Sequence, residues 1–249
     1  IHSICALLGN KVISFKLGNI QSNRYSFGHR FLSQGKIKLS RADEYLDTLS
    51  SAHVLADINQ RKDALGRLML SAVETVDGQI LPDEELVDIV VNLVEFPVPV
   101  VGSFDRKFLG IPSEILITAM REHQKYFAVV DSNNKLMPYF VAVNNTKARD
   151  MKLVAAGHER VLRARLEDAQ FFYQADSRIP LDEMAGKLQS VMFQAELGSV
   201  YDKTLRIEKL AAKLSELLNL EGSVKARISR AALLCKSDLV SHVVGEFPK

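Results

Sequence analysis

The chain has 249 residues, of which 47% are hydrophobic and 25% charged, and this composition predicts a globular protein of one large or two modest domains. Its net charge of +2 excludes nucleic-acid binding by overall basicity, so such binding would require a local cluster of cations. No apolar run reaches the roughly 20 residues that span a bilayer, and Cys5 and Cys235 lack metal-ligand spacing, so we predict a cytoplasmic protein with reduced thiols and no structural zinc.

The first 50 residues are predicted to form short strands. A hairpin is expected over residues 4–15, because Gly9 and Asn10 tolerate the positive φ of a tight turn between two apolar runs. A half-exposed strand is expected at residues 36–39, where apolar residues and lysines alternate. Ser40 then predicts the cap of a short helix.

Two amphipathic helices are predicted between residues 54 and 94. In the first, over residues 54–73, apolar residues recur at loose helical spacing among charged ones. The second follows Pro82, with apolar residues at i, i+3, i+4, i+7 and i+8 from Leu86 and acids in its first turn. Pro97 and Pro99 then limit the next segment to an edge strand or a strand start.

A polar helix end followed by a buried hairpin is predicted over residues 112–143. The helix covers residues 112–120 and leads into the polar stretch, residues 120–127, which contains two cations, an acid, a histidine and two aromatics. Two apolar runs, 127–130 and 136–143, are separated by Asp, Ser and Asn residues, which favour turns. We therefore expect the polar stretch to lie at the base of the hairpin.

The β signal fades after Asp150. Helices are predicted at residues 161–173 and 231–244, and another along an apolar stripe that Gly222 ends, comprising Ile207, Leu210, Ala211, Leu214, Leu217 and Leu218. We therefore predict an α+β protein, with a mixed domain rich in β-hairpins over residues 1–155 and an all-helical domain over residues 156–249. Because the chain starts at Ile1, we also expect it to be a piece of a longer protein.

The sequence contains no strong signature of a catalytic or metal site. Its glycines match neither phosphate-binding loop, no Gly-x-Ser-x-Gly motif is present, and none of its six histidines has metal-ligand spacing. His123 beside Glu122 is a candidate general base, with a capping or core-edge role as the alternative. We therefore predict no catalytic residue and no metal ligand in this chain.

A local excess of cations indicates an RNA-binding surface. From Arg121 to Arg165 the sequence contains nine lysines and arginines against four acids. Such cations neutralise phosphates, and a neighbouring aromatic such as Tyr126 can stack on an unpaired base. Arg163 and Arg165 would not share one helical face, so anchoring of an internal acid is the alternative role for at least one of them.

Several short motifs follow one another along the chain. They are Gly28-His29-Arg30-Phe31, Glu95-Phe96-Pro97, residues 120–127, residues 161–166 with 168–172, Phe193-Gln194 with Leu197-Gly198, Tyr201-Asp202-Lys203, and residues 236–240 with 245–247. Together they resemble the central part of the β subunit of bacterial two-subunit glycyl-tRNA synthetase, over essentially the full chain. The chain departs from that family at Ala128, where a proline is expected.

The resemblance implies a part in the attachment of glycine to its tRNA with ATP and Mg²⁺, cofactors that the α subunit of the enzyme would bind. The β subunit would supply tRNA recognition and scaffolding, with the α subunit and glycine tRNA as partners and without a membrane. The candidates for tRNA contact are the cations that lie within family motifs, namely Arg121, Lys125, Arg163 and Arg165. The mixed domain would be similar to the editing module of the phenylalanyl-tRNA synthetase β subunit, and the helical domain would begin a region like the HD phosphohydrolases.

Two alternatives remain open at these residues. One is a hydrolase-like module, derived from an editing or HD-type enzyme, with an independent pocket near His123 and with Glu122 as a second reacting group. Glycine has no side chain, so larger amino acids can be excluded sterically, and this weakens the case for editing. The other alternative is structural: residues 120–127 cap the hairpin, and residues 163–172 dock the helical domain on the mixed one.

Overall fold

The computed structural model describes residues 3–247 and has the predicted α+β architecture, with about 52% of its residues in helices. The described residues divide into two compact units. The first comprises residues 3–109 and 123–163, and the second comprises residues 110–122 and 164–247. The division into domains over residues 1–155 and 156–249 stays a prediction.

Seven short strands occupy the beginning of the first unit. In chain order they are β1 Ile4–Cys5, β2 Leu7–Leu8, β3 Lys11–Val12, β4 Lys16–Leu17, β5 Ile20–Asn23, β6 Tyr25–Phe27 and β7 Lys36–Lys38. β2 and β3 form an antiparallel hairpin in which Gly9 has a φ of 58°, and this confirms the predicted turn. β5 pairs with β1 and β4, and β6 pairs antiparallel with β7, the strand predicted from the lysine alternation.

Three helices follow, α1 Tyr45–Ser51, α2 Ile58–Glu74 and α3 Glu84–Val91. α2 and α3 confirm the two predicted amphipathic helices. An aspartate caps each of them, since Asp57 accepts hydrogen bonds from the backbone N–H groups of Asn59 and Gln60, and Asp83 accepts one from that of Leu86. The predicted cap at Ser40 is wrong, because the first helical turn begins at Ala42, after Arg41, whose extended backbone occupies the capping position.

A four-stranded antiparallel sheet forms the core of the first unit. Its strands are β8 Gln79–Ile80, β9 Val98–Ser103, β10 Phe127–Val130 and β11 Leu136–Asn144, in the spatial order β8-β10-β11-β9. β10 and β11 are the predicted buried hairpin, and β9 lies at an edge, as predicted from Pro99 within it and Pro97 just before it. The buried cluster that joins this sheet to α2 and α3 comprises Leu65, Met69, Val73, Leu86, Val90, Val91, Phe127, Val129 and Val141.

The second unit is mainly helical. Its helices are α4 Ser113–Thr118, the C-terminal half of α5 Met151–Asp176, α6 Leu181–Lys187, α7 Val200–Leu217, α8 Gly222–Leu234 and α9 His242–Glu246. Short 3₁₀ helices lie at Leu188–Ser190 and Ser237–Val240, and a longer one, Arg106–Gly110, contains the residue at which the chain passes from the first unit to the second. Two short antiparallel strands, β12 Met192–Gln194 and β13 Gly198–Ser199, precede α7, so the prediction of an all-helical region after residue 155 is wrong.

Two helix boundaries of the second unit also differ from the predictions. α7 ends at Leu217, and Asn219, with a φ of 51°, takes the left-handed position that usually terminates a helix, so Gly222 begins α8 instead of ending α7. The helix predicted over residues 231–244 is interrupted by the 3₁₀ turn at Ser237–Val240. Within residues 3–247, no helix combines the length and the apolar character needed to cross a membrane.

Candidate nucleic-acid interface

Asn145 connects two of the motifs noted in the sequence. Its backbone oxygen lies 2.7 Å from Nε2 of His29, and its side-chain oxygen accepts hydrogen bonds from the backbone N–H groups of Glu95, at 2.6 Å, and Phe96, at 3.1 Å. His29 is completely buried. One asparagine after the end of β11 therefore fixes the segments around residues 29 and 95.

The buried imidazole of His29 also shapes its own loop. Nδ1 accepts hydrogen bonds from the backbone N–H groups of Phe31 and Leu32, both at 3.2 Å. Because Nδ1 is an acceptor, the proton of the neutral ring lies on Nε2, from which it is donated to Asn145. All the polar atoms of the ring are thus used inside the fold, which assigns His29 a structural role.

The polar stretch at the base of the hairpin begins with an irregular helical turn. Residues Ala119–His123 form a π-helical turn directly after α4, an irregularity often found at functional sites. The half-buried Arg121 forms an ion pair with the adjacent Glu122 there, and His123 is exposed. Lys125 follows with a φ of 55°, a conformation that side-chain-bearing residues rarely adopt.

Tyr126 anchors the end of this stretch in the first unit. Its buried ring stacks on Phe140, with centroids 4.8 Å apart, and its hydroxyl lies 2.8 Å from Nδ1 of His158 on α5. Nε2 of His158 lies 3.0 Å from the side-chain oxygen of Asn144, whose amide nitrogen donates to Val98. This orientation of the amide makes Nε2–H the donor to Asn144, so Nδ1 accepts the tyrosine proton.

This network of Tyr126, His158 and Asn144 borders a cleft of about 390 Å³ in the first unit. Its walls are mostly apolar, from residues such as Leu93, Val94 and Val143. Burial raises the pKa of the Tyr126 hydroxyl and lowers the pKa of the His158 imidazole, so both groups are held neutral. The cleft thus contains a structural hydrogen-bond chain, and Gln124 and Lys125 are among the residues that line it.

We expect stability to depend on pH through His158. Its pKa is lowered from the ordinary value of 6.5, so the unfolded chain binds the proton more readily than the folded chain. The stabilisation from neutral His158 is therefore complete above that value and is lost as the pH falls through the lower folded pKa. Urea unfolding between about pH 8 and about pH 5 measures this loss, which should be smaller in a His158→Gln variant. An equal loss in that variant would assign the pH dependence to another group.

The four predicted tRNA contacts lie on two stretches of the chain, residues 119–125 and α5. Arg121 belongs to the second unit and Lys125 to the first. Arg163 and Arg165 are exposed on α5, where a separation of two residues places them about 200° apart around the axis. Among residues 3–247 no ion pair involves either of these two arginines, and their role in tRNA contact stays a prediction.

Sequence reasoning predicted no organising role for four residues of this region: His29, which was named only within a family motif, and Asn144, Asn145 and His158. A signal for them exists, because Tyr126 opens a buried run, and a buried tyrosine hydroxyl requires a hydrogen-bond partner. Two asparagines, one at the end of the buried strand β11 and one directly after it, also supply side-chain amides where backbone pairing ends. Which partners they would take could not be predicted.

Comparison with known proteins decides the family. The family model described as "Glycyl-tRNA synthetase beta subunit" matches residues 1–249. The chain belongs to the glycyl-tRNA synthetase β-subunit family. The resemblance to this family, seen in the sequence motifs, is therefore confirmed.

Curated relatives agree with this family. The chain is 53% identical to the "Glycine--tRNA ligase beta subunit" of Desulforapulum autotrophicum, and 46% and 45% identical to the proteins of the same name from Desulfatibacillum aliphaticivorans and Geobacter sulfurreducens. Each comparison covers all of this chain and 36% of the relative. The chain thus spans about a third of the length of these relatives.

Neither the family nor the geometry supports the hydrolase-like alternative. The matched proteins are ligase subunits by name. The cleft beside the hairpin contains His158, and His123 is exposed. Over the part of the chain that the structure describes, no group of three or more His, Cys, Asp or Glu residues is arranged to hold a metal ion.

Proposed function

We propose that this chain is part of the β subunit of a tetrameric glycine–tRNA ligase, where it contributes tRNA recognition and subunit scaffolding. The observation that carries the proposal is the family match over all 249 residues, with 53% identity to a glycine–tRNA ligase β subunit. Glycine tRNA and the α subunit are then its partners in the cytoplasm. ATP and Mg²⁺ act in the complete enzyme through the α subunit, which would carry the ligase active site.

The candidate tRNA contacts agree with this role in their chemistry. Arg163 and Arg165 are exposed cations on one long helix. Because they lie on opposite faces of that helix, they can contact phosphates on different sides of it. Lys125 is held by the left-handed turn between the π-helical residues and the buried Tyr126. A fixed backbone reduces the entropy lost when such a side chain binds, which favours recognition.

The finer fold relationships are part of the same proposal. Small sheets and a four-stranded antiparallel sheet in the first 150 residues accord with a domain over residues 1–155 similar to the phenylalanyl-tRNA synthetase editing module. The predominance of helices in residues 156–247 accords with the start of an HD-like region. Binding and positioning of tRNA would then be the functions of these domains, with no catalytic residue in this chain.

We expect the chain to bind glycine tRNA with a clear salt dependence. Each lysine or arginine that binds a phosphate releases counterions, so removal of such cations lowers both the affinity and its salt slope. Double variants Arg121→Ala/Lys125→Ala and Arg163→Ala/Arg165→Ala should each weaken binding about tenfold and reduce the slope by roughly 1 to 2. Fluorescence anisotropy with labelled glycine tRNA, across a salt series, measures both quantities.

The matched control is Lys209→Ala/Lys213→Ala, which removes two exposed charges from α7 outside the family motifs. It should leave the salt slope within the error of the parent chain. A non-cognate tRNA tests discrimination. If the two candidate pairs behave like the control in folded variants, these cations are architectural, and the proposed sites are wrong.

A further inference from the structure

The segment before Asp43 has an unusual charge distribution. Residues 3–42 contain no aspartate or glutamate, although the whole chain is almost neutral at +2. The same segment contains seven cations, namely Lys11, Lys16, Arg24, Arg30, Lys36, Lys38 and Arg41. A basic patch on a nearly neutral protein indicates a polyanionic partner at that site.

The pairing of β6 with β7 places two aromatic rings and two lysines on one face. Tyr25 lies directly opposite Lys38, and Phe27 directly opposite Lys36. Residues opposite each other in an antiparallel pair share a face, and so do residues two apart in a strand. All four side chains are exposed, and within residues 3–247 neither lysine forms an ion pair.

This aromatic–lysine face borders a groove of about 440 Å³ in the first unit. The groove is lined by Tyr25, Phe27 and Lys36 together with the polar residues Asn19, Gln21 and Asn23. Asn23 uses its side-chain oxygen to fix the backbone of Tyr25 at 2.7 Å. Among the described residues Asn19 has no side-chain hydrogen bond, so its amide is available to a ligand.

The loop between β6 and β7 extends the same surface. Buried His29 holds the loop at its base, while Arg30 and Phe31 are exposed, with the guanidinium 5.8 Å from the centre of the Phe31 ring. Phe31 is 68% exposed, which is a large apolar area for a ring in an ordered loop. Rings that stack on bases, next to cations that neutralise phosphates, form the usual platform for single-stranded nucleic acids.

We propose that the β6–β7 face and its loop bind unpaired nucleotides of RNA, with Tyr25, Phe27 and Phe31 stacking on bases and Lys36 and Lys38 contacting phosphates. Exposed rings could also bind a protein partner. The absence of acids from residues 3–42, together with their seven cations, favours a polyanion instead. The choice of RNA as the polyanion rests on the proposed function. The site lies in a different segment from the candidate cations of the polar stretch and α5, so it can be tested separately from them.

Binding of the chain to a fluorescein-labelled oligouridylate of about twelve nucleotides, a length suited to one such platform, tests this proposal. Phe27→Leu and Tyr25→Leu should each weaken binding about tenfold, whereas Phe27→Tyr, which keeps a ring, should bind like the parent chain. Lys36→Ala/Lys38→Ala should lower the salt slope by roughly 0.7 for each phosphate that is no longer neutralised. Circular dichroism confirms that each variant is folded.

Two control variants test whether the loss of affinity is specific to the β6–β7 face. Phe171→Leu removes an exposed ring from α5, and Lys209→Ala/Lys213→Ala removes two exposed charges from α7; neither should alter binding. The proposal is overturned if oligouridylate does not bind, if Phe27→Leu binds normally, or if the controls lose as much affinity. Polyglutamate that competes as well as RNA would likewise overturn the assignment to nucleotides.

Binding measurements with glycine tRNA distinguish a failure of this proposal from a failure of the proposed function. If the chain binds glycine tRNA selectively but Phe27→Leu changes nothing, the groove proposal is wrong and tRNA recognition stands. If the groove binds oligouridylate as expected but the chain does not distinguish glycine tRNA from other tRNAs, the groove is supported and selective recognition by this chain is not.

Discussion

Replacement of His29 by alanine is expected to lower the free energy of unfolding by about 4 kcal/mol, the range for removal of a fully buried ring. The loss has two sources, a cavity where the imidazole was and the hydrogen bonds that the ring makes. Asn145 loses its donor, and the N–H groups of Phe31 and Leu32 lose their shared acceptor. Urea unfolding of the parent chain and the variant measures the difference.

Two further variants divide that loss between the ring nitrogens. The oxygen of asparagine in His29→Asn can take the place of Nδ1, and the longer glutamine in His29→Gln can reach Asn145 in place of Nε2. The backbone amides of Phe31 and Leu32 should therefore stay protected from hydrogen exchange in His29→Asn and lose that protection in His29→Gln.

A second histidine provides the control for His29. His242→Ala removes an imidazole whose side chain is 56% exposed and pairs with Asp176, so it should cost only about 1 kcal/mol or less. A His29→Ala variant as stable as His242→Ala would contradict the structural role assigned to the buried ring. The connection of residues 28–31 to the base of the sheet would then require another explanation.

Periodicity and local capping made much of the fold predictable. α2 and α3 combine apolar spacing with Asp57 and Asp83 at their starts, and these carboxylates do cap them. The turn of the β10–β11 hairpin was equally marked, since Asp131 accepts hydrogen bonds from two N–H groups within the turn. In each case the determining interactions lie within a few residues, where sequence patterns are informative.

The second unit marks where such patterns stop being informative. Periodicity predicted α7, yet Leu210, Leu214 and Leu217 on its stripe are exposed, because spacing identifies a helix without specifying what covers it. β12 and β13 contain three and two residues, too few to produce a recognisable alternation. Their pairing depends on tertiary context.

The candidate site was less predictable than the fold. The cations could be named from charge and family motifs, but the groups that organise the region meet over long separations. Tyr126 and His158 are 32 residues apart, and His29 and Asn145 are 116 apart. No periodic pattern encodes such pairs, so only the need of buried polar atoms for partners could have indicated that they exist.

The strongest test of the Tyr126 network is at Gly102, a position with no side chain of its own. Gly102 lies directly opposite Phe140 in the β9–β11 pair, and a Cβ built there would lie 2.7 Å from Cε1 of the Phe140 ring. Real Cβ atoms do not approach other atoms so closely, so the ring must move. We expect Gly102→Ala to cost about 3 kcal/mol, the upper part of the range for overpacking a buried site.

Displacement of Phe140 should also change the pKa of His158. Phe140 stacks on Tyr126, and the Tyr126 hydroxyl donates to His158, so a moved ring disturbs the burial that lowers the pKa of that histidine. NMR titration should therefore find the His158 pKa closer to its ordinary value in Gly102→Ala. Loss of stability without a change in that pKa would mean that the strain relaxes elsewhere.

Two further variants complete the test of Gly102, one with a smaller side chain at residue 140 and one at a glycine with open space around it. In Gly102→Ala/Phe140→Leu the smaller side chain makes room for the methyl group, so the double variant should lose at least about 1 kcal/mol less than the sum of the single changes. Gly66→Ala is the matched control, because a Cβ there meets no atom within 4 Å and the position is helical. It should stabilise the chain by up to about 1 kcal/mol, opposite in sign to Gly102→Ala. Equal effects at the two glycines would show that the close approach of Phe140 to the edge strand does not determine the stability of this sheet.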